Sequence, residues 1–106
     1  MVQSSDAYRV VCSEAIRRQL KLWGDRARAS GTVKEYVEAL KSIEAPLCRD
    51  PLTWGDPLYH FSQFDMLVCR GIHGPLLVEY GVNQAERVVF VREYRLLPNA
   101  PFSQRQ

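Results

Sequence analysis

Cysteine is scarce in this chain and badly spaced for chemistry. Cys12, Cys48 and Cys69 form no CxxC pair, which removes the zinc and redox motifs that such pairs build. An odd, scattered set fits a reducing, cytoplasmic compartment better than a disulfide framework. Cys12 and Cys69 sit in apolar, strand-like runs and read as buried thiols. Neither histidine, His60 or His73, has a second His, Asp or Glu at metal spacing, so no metal and no cofactor is expected. No apolar run approaches the roughly 20 residues that cross a bilayer, which argues against a membrane partner. Met1 to Asp6 is polar and short and does not read as a signal peptide. Internal repeats and low-complexity tracts are missing, and no lysine follows Lys41.

Excess charge of one sign is missing too. The formal charge is +2 over 106 residues, too small to imply a nucleic-acid partner by itself. Its distribution says more. Arg17, Arg18, Lys21, Arg26 and Arg28 crowd one stretch against Glu14 and Asp25, whereas beyond Trp54 the two signs balance. The composition is 46% hydrophobic and 25% charged, that of an ordinary globular domain. Residues 1–106 read as a single domain, with an ordered core at 8–98 and a frayed polar tail at 99–106.

Tyr8 to Cys12 is a short β-type run. Ser13 is a good N-cap, and Glu14 suits the positive end of the helix that follows. Ile16, Leu20, Trp23 and Ala27 recur at helical spacing until Ser30-Gly31 closes the helix. Thr32-Val33-Lys34-Glu35 reads as a capping box for a second helix. Its apolar stripe is Val33, Tyr36, Val37, Leu40 and Ile43, and Pro46 is expected to end it. A two-residue link makes the pair an antiparallel hairpin. The segment from Cys48 to Tyr59 is a loop with Pro51, Gly55 and Pro57, which Leu52, Trp54 and Leu58 should pack on the core. Met66 to Ile72 is strand-like, and His73-Gly74-Pro75 turns it. Leu76, Val78, Tyr80 and Val82 then form one apolar face. After the turn Asn83 to Glu86, the run from Arg87 to Leu97 is apolar on both faces and reads as a central strand.

The order is β-α-α-(β)-β-β-β. Early helices and late strands predict an α+β domain: an N-terminal strand and a helical hairpin packed on an antiparallel sheet.

That order, the hairpin "CRGIHGPLLVEYGV" (Cys69 to Val82), the turn from Asn83 to Glu86 and "RVVFVREY" resemble the RelE/ParE toxin superfamily of bacterial toxin–antitoxin systems, over residues 8–97. The segment "DPLTWGDPLYHF" is similar to the stretch these proteins carry before the first hairpin strand. The resemblance implies a plasmid-stabilisation type toxin that cleaves mRNA on the ribosome or binds another target such as DNA gyrase, and that an antitoxin protein neutralises. It also implies a catalytic set of Arg70, Arg92, Tyr94 and Arg95, with the arginines on the scissile phosphate and Tyr94 stacked on a base. Cleaving RNA needs a base near the 2′-hydroxyl, an acid for the leaving oxygen and cations for the phosphorane. Where the family carries an arginine before its central hairpin strand, this chain has Leu76 and Leu77. That substitution points to the alternative, a non-catalytic binding module of the same fold.

Strict alternation puts Arg92 and Tyr94 on one face of the last strand, and Glu93 and Arg95 on the other. The plainer reading of these charges is cross-strand pairing of Arg92 or Arg95 with Glu79. Arg17, Arg18 and Lys21 are candidate contacts for RNA phosphates, or a solvated helix face. His73 is a candidate acid or base, or an exposed turn residue, and His60 reads as packed. Trp54 either pins its loop or offers a contact to a partner, a second copy included; the oligomeric state stays open.

Overall fold

The computed structural model describes residues 7–98. The polar start and the tail at 99–106 lie outside the described residues. Strand β1 (Arg9–Val11) leads into α1 (Glu14–Ser30), α2 (Val33–Arg49) and a single helical turn, α3 (Pro51–Trp54). Strands β2 (Asp56–Phe61), β3 (Met66–His73), β4 (Leu76–Asn83) and β5 (Val88–Leu96) follow. The domain is α+β, with the helical hairpin on one face of a five-stranded sheet ordered β1-β5-β4-β3-β2.

The sheet is mixed, where an antiparallel one was expected. β1 pairs with β5 in parallel, Arg9 opposite Val88, and the other pairs are antiparallel. Short connections explain this. Each long element reverses the chain, so the first and the seventh run the same way.

Ser13 caps α1 as expected, its Oγ accepting from the Ile16 amide at 3.2 Å. Gly31 closes it at φ +78, while the Thr32 amide reaches back to the Ala27 carbonyl at 2.8 Å. This is the left-handed stop that glycine enters most cheaply. Two expectations for α2 are corrected. Thr32 makes no side-chain cap; its hydroxyl turns to Ser30 Oγ at 2.9 Å, so no capping box forms. Pro46 lies inside the helix, which runs on to Arg49. Burial wins over propensity here: the turn after Pro46 carries Leu47, which is fully buried.

Leu76, Val78, Tyr80 and Val82 of β4 meet Trp23, Ala27, Tyr36, Ala39, Ile43 and Leu47 in one core, as their alternation required. Val37 of the expected stripe is exposed instead, as is Leu58 of the loop. Tyr36 Oη donates to the Leu20 carbonyl at 2.6 Å, which ties the hairpin together. Tyr80 Oη donates to the Pro51 carbonyl at 2.7 Å, which fixes α3. The Trp54 ring, 6.1 Å from that of Tyr80, fills the space a side chain at Gly71 would need. Trp54 therefore pins its segment.

Two irregularities shape the opposite face. On β5, Val91 faces Tyr80 and Glu93 faces Glu79, so Arg92 is an extra residue. On β2, Pro57 faces Cys69 and Tyr59 faces Val68, so Leu58 is extra. Each is a β-bulge, a device that bends a strand and re-aims a side chain.

Candidate functional site

The Arg92 bulge overturns the face assignment that alternation predicts. Val89, Val91, Tyr94 and Leu96 point toward the helices, a spacing of two, three and two. Tyr94 is 3% exposed, inside the core and away from the arginines. Arg92, Glu93 and Arg95 share the uncovered face, with Arg70 of β3 and Glu79 of β4.

On this face the register lines up two rows. One runs Asp56–Arg70–Glu79–Glu93 across β2 to β5. The next runs Tyr59–Val68–Gly81–Phe90 across β2 to β5. Neighbouring rows on one face are two residues, about 7 Å, apart. Gly81 leaves a hollow that the Met66 thioether fills, and the rings at the row's two ends, Tyr59 and Phe90, are both exposed.

Glu79 stands at the centre of the charged row. Its Oε1 lies 3.6 Å from Arg70 Nη2 and its Oε2 3.4 Å from Arg92 Nη1. The carboxylate is 17% exposed, while both guanidinium groups reach solvent. Arg92 Nη1 also donates to Tyr59 Oη at 2.8 Å, and that bond is the first cause of the upward shift of the Arg92 pKa. Arg95 Nε donates to Glu93 Oε2 at 2.6 Å, which holds the Glu93 carboxyl below its usual range. Glu79 and Glu93 face each other directly, an unfavourable like-charge pair. Arg70, Arg92 and Arg95 around them offset it. The expected pairing of Glu79 with Arg92 is present, Arg70 joins it, and Arg95 turns to Glu93.

The guanidinium groups of Arg70, Arg92 and Arg95, flanked by two exposed rings, can receive an anion whose neighbouring groups are flat and apolar. The arginines match phosphate oxygens in geometry and charge. The rings offer stacking surfaces.

The other candidates lie elsewhere. Arg17, Arg18 and Lys21 line a shallow cavity of about 390 Å³ with Glu14 on the outer side of α1. Lys21 and Arg28 both pair with Asp25, at 3.8 and 3.1 Å. His73 is exposed at the β3–β4 tip, opposite Leu76 rather than in either row. His60 is exposed rather than packed, its Nε2 3.4 Å from Asp65 Oδ1. Cys69 is fully buried and Cys12 half-buried, and burial raises the pKa of both thiols. Among the described residues no three His, Cys, Asp or Glu gather as metal ligands, and no helix is long and apolar enough to cross a membrane.

Sequence reasoning missed Tyr59 as a site residue, because its segment read as a loop. It weighed Glu79 only as a pairing partner. The signal for the bulge was present: a polar Arg92-Glu93 pair interrupts the apolar run, so that Tyr94 follows Val91 at a step of three.

No family model matches the chain, and no curated protein or solved structure matches it either.

Proposed function

We propose that this chain is a toxin of the RelE/ParE type that acts on RNA through the uncovered sheet face. The observation that carries the reading is the Arg70–Glu79–Arg92 cluster with Tyr59 hydrogen-bonded to Arg92. Such a face supplies phosphate-binding guanidinium groups, a carboxylate and stacking rings on one rigid platform. The element order, a strand followed by a helical hairpin and then a β-meander, supports the same reading. In it the target is mRNA on the ribosome of the cytoplasm. An antitoxin segment that folds on binding would silence the protein by covering the helices and the sheet.

One observation favours a second reading, a non-catalytic module such as a gyrase-binding inhibitor. Leu77 lies opposite Arg95, so the strand that carries an arginine in the family offers an apolar side chain here.

Induced expression in growing bacteria tests the toxin reading. Growth arrest by the parent, and none by a soluble, folded Arg92→Ala/Arg95→Ala variant, is the expected result. Arrest by both proteins would move the activity off this face, and arrest by neither would remove the toxin reading. RNA 5′-end mapping in arrested cells separates the two branches: new cleavage sites support the nuclease, and intact RNA supports the inhibitor.

A further inference from the structure

We infer that the outer edge of β1 binds an extended peptide of a partner protein, which adds a short strand there and sets a side-chain amide between Arg17 and Glu44. The inference is independent of the RNA reading and lies on the helix side of the sheet, away from the arginine face. The sheet has two edges, β2 and β1. An open edge invites strand addition unless something blunts it. β2 is blunted by Pro57, which has no N–H, and by the extra residue Leu58. β1 pairs in regular register and carries neither device. Arg9 N–H donates to the Arg87 carbonyl at 2.9 Å, toward β5, whereas Tyr8 N–H donates the other way, to the Cys48 carbonyl at 2.7 Å. Alternation along the strand then directs the N–H and C=O of Val10 outward, like those of Tyr8, with no strand beside them.

That edge opens into a cavity of about 690 Å³ between β1 and the helices, walled by Val10, Cys12, Arg17, Leu20, Glu44 and Cys48. The volume falls in the range of roughly 300–1,000 Å³ that holds bound ligands. The 3 residues of β1 set the length of chain that can pair. Val10 and Cys12 both pack toward the helices. A peptide residue opposite Val10 points its side chain the same way, against Leu20 and Cys48, so an apolar residue belongs there. Two residues along, Cys12 lies within electrostatic reach of both Arg17 and Glu44. Neither of these charges is in an ion pair among the described residues. A carboxylate brought to this position would meet Glu44, and an ammonium would meet Arg17. A carboxamide satisfies both, because its oxygen accepts from the guanidinium and its NH₂ donates to the carboxylate. The occupant is therefore a strand with an apolar residue and an Asn or Gln two positions from it.

The test uses a fluorescein-labelled peptide, Gly-Gln-Thr-Val-Thr-Gln-Gly, whose amides flank the valine on both sides and so serve either strand direction. Anisotropy measures its binding to the full chain, and NMR follows exchange of the Val10 amide proton. Saturable binding is expected, with Val10 exchange slowed about 10-fold or more and exchange of the already bonded Arg9 amide unchanged. Methylating the three central peptide nitrogens removes the strand bonds and is expected to weaken binding about 10-fold or more. Replacing both Gln by Glu in the peptide, or Arg17→Ala or Glu44→Ala in the protein, is expected to weaken it about 10-fold each. Arg17 and Glu44 are exposed, so both variants should melt like the parent. A folded parent that does not bind the peptide would overturn the inference. Binding that survives methylation, or leaves Val10 exchange fast, would overturn the added strand. Binding indifferent to both protein variants would overturn the amide position. A mass that doubles with concentration in the absence of peptide would give the edge to a second copy and overturn the partner.

Discussion

Arg92 and Tyr59 touch at 2.8 Å although two strands, β4 and β3, lie between the strands that carry them. Arg92 is the extra residue of its strand, and Tyr59 directly follows Leu58, the extra residue of the other.

Removing Arg92 by deletion should restore a regular ladder, with Val91 opposite Tyr80 and its new neighbour Glu93 opposite Glu79. No core side chain changes face, because the helix-facing residues are already in register with β4. The protein should fold with its stability changed by about 1 kcal/mol or less, since the extra residue adds no ladder bond. Growth arrest should be lost. A thermal melt and the induction assay read the two halves of this prediction separately.

Tyr94 of β5 and Tyr59 of β2 should behave in opposite ways. Tyr94 lies in the core and Tyr59 on the open face. Tyr94→Ala should cost about 3 kcal/mol or more, as for other large buried rings, whereas Tyr94→Phe should keep full growth arrest. Tyr59→Phe should melt like the parent and yet weaken arrest. Denaturant titrations alongside induction would expose any exchange of roles.

Gly71 is expected to be intolerant. A methyl group there would meet the Trp54 ring at 2.2 Å, far inside contact distance. Gly71→Ala should therefore displace Trp54 and cost about 1–3 kcal/mol by overpacking. Tyr80→Phe should cost about 1–3 kcal/mol, because the buried Pro51 carbonyl loses its donor. Melting curves with Trp fluorescence follow both, and only the first should shift the emission of the folded state.

Alkaline stability follows from Tyr36, whose pKa burial raises from 10.0 to about 12. The neutral phenol is the form that donates to the Leu20 carbonyl. A folded-state pKa above the unfolded value means that the native protein holds its proton longer. The stabilisation is then complete below about pH 10 and is lost as pH climbs toward 12. Burial also raises the pKa of Tyr80 and Tyr94, and their loss adds in the same direction at higher pH. Chemical denaturation between pH 8 and 11 should show a flat region followed by a decline, shallower in Tyr36→Phe. A stability that rose through this range would contradict the assignment.

Much of this molecule is legible in its sequence. The helix stripes, the Ser13 cap, the Gly31 stop and the apolar face of β4 follow from periodicities that burial enforces. What was not legible has a common cause. The run past Pro46 and the exposed Val37 and Leu58 depend on which surface the rest of the fold presents, and no local pattern reports that. The site failed for a sharper reason. One inserted residue reverses every later side chain of a strand, so the step at Arg92 moved Tyr94 inward and brought Glu93 and Arg95 out together. Glu79 and Arg70 needed only the hairpin register, which the turn at Gly74, φ +58, already fixes.

The parallel pairing of β1 with β5 has a consequence for how the protein is made. Arg9 finds its partner only at Val88, after nearly the whole domain has been synthesised. Contacts so distant along the chain form late and slowly. Arg92, Glu93 and Arg95 belong to that same late strand. The helices and the first hairpin can therefore form before the charged face is complete, which makes that face the last part of the sheet to be assembled.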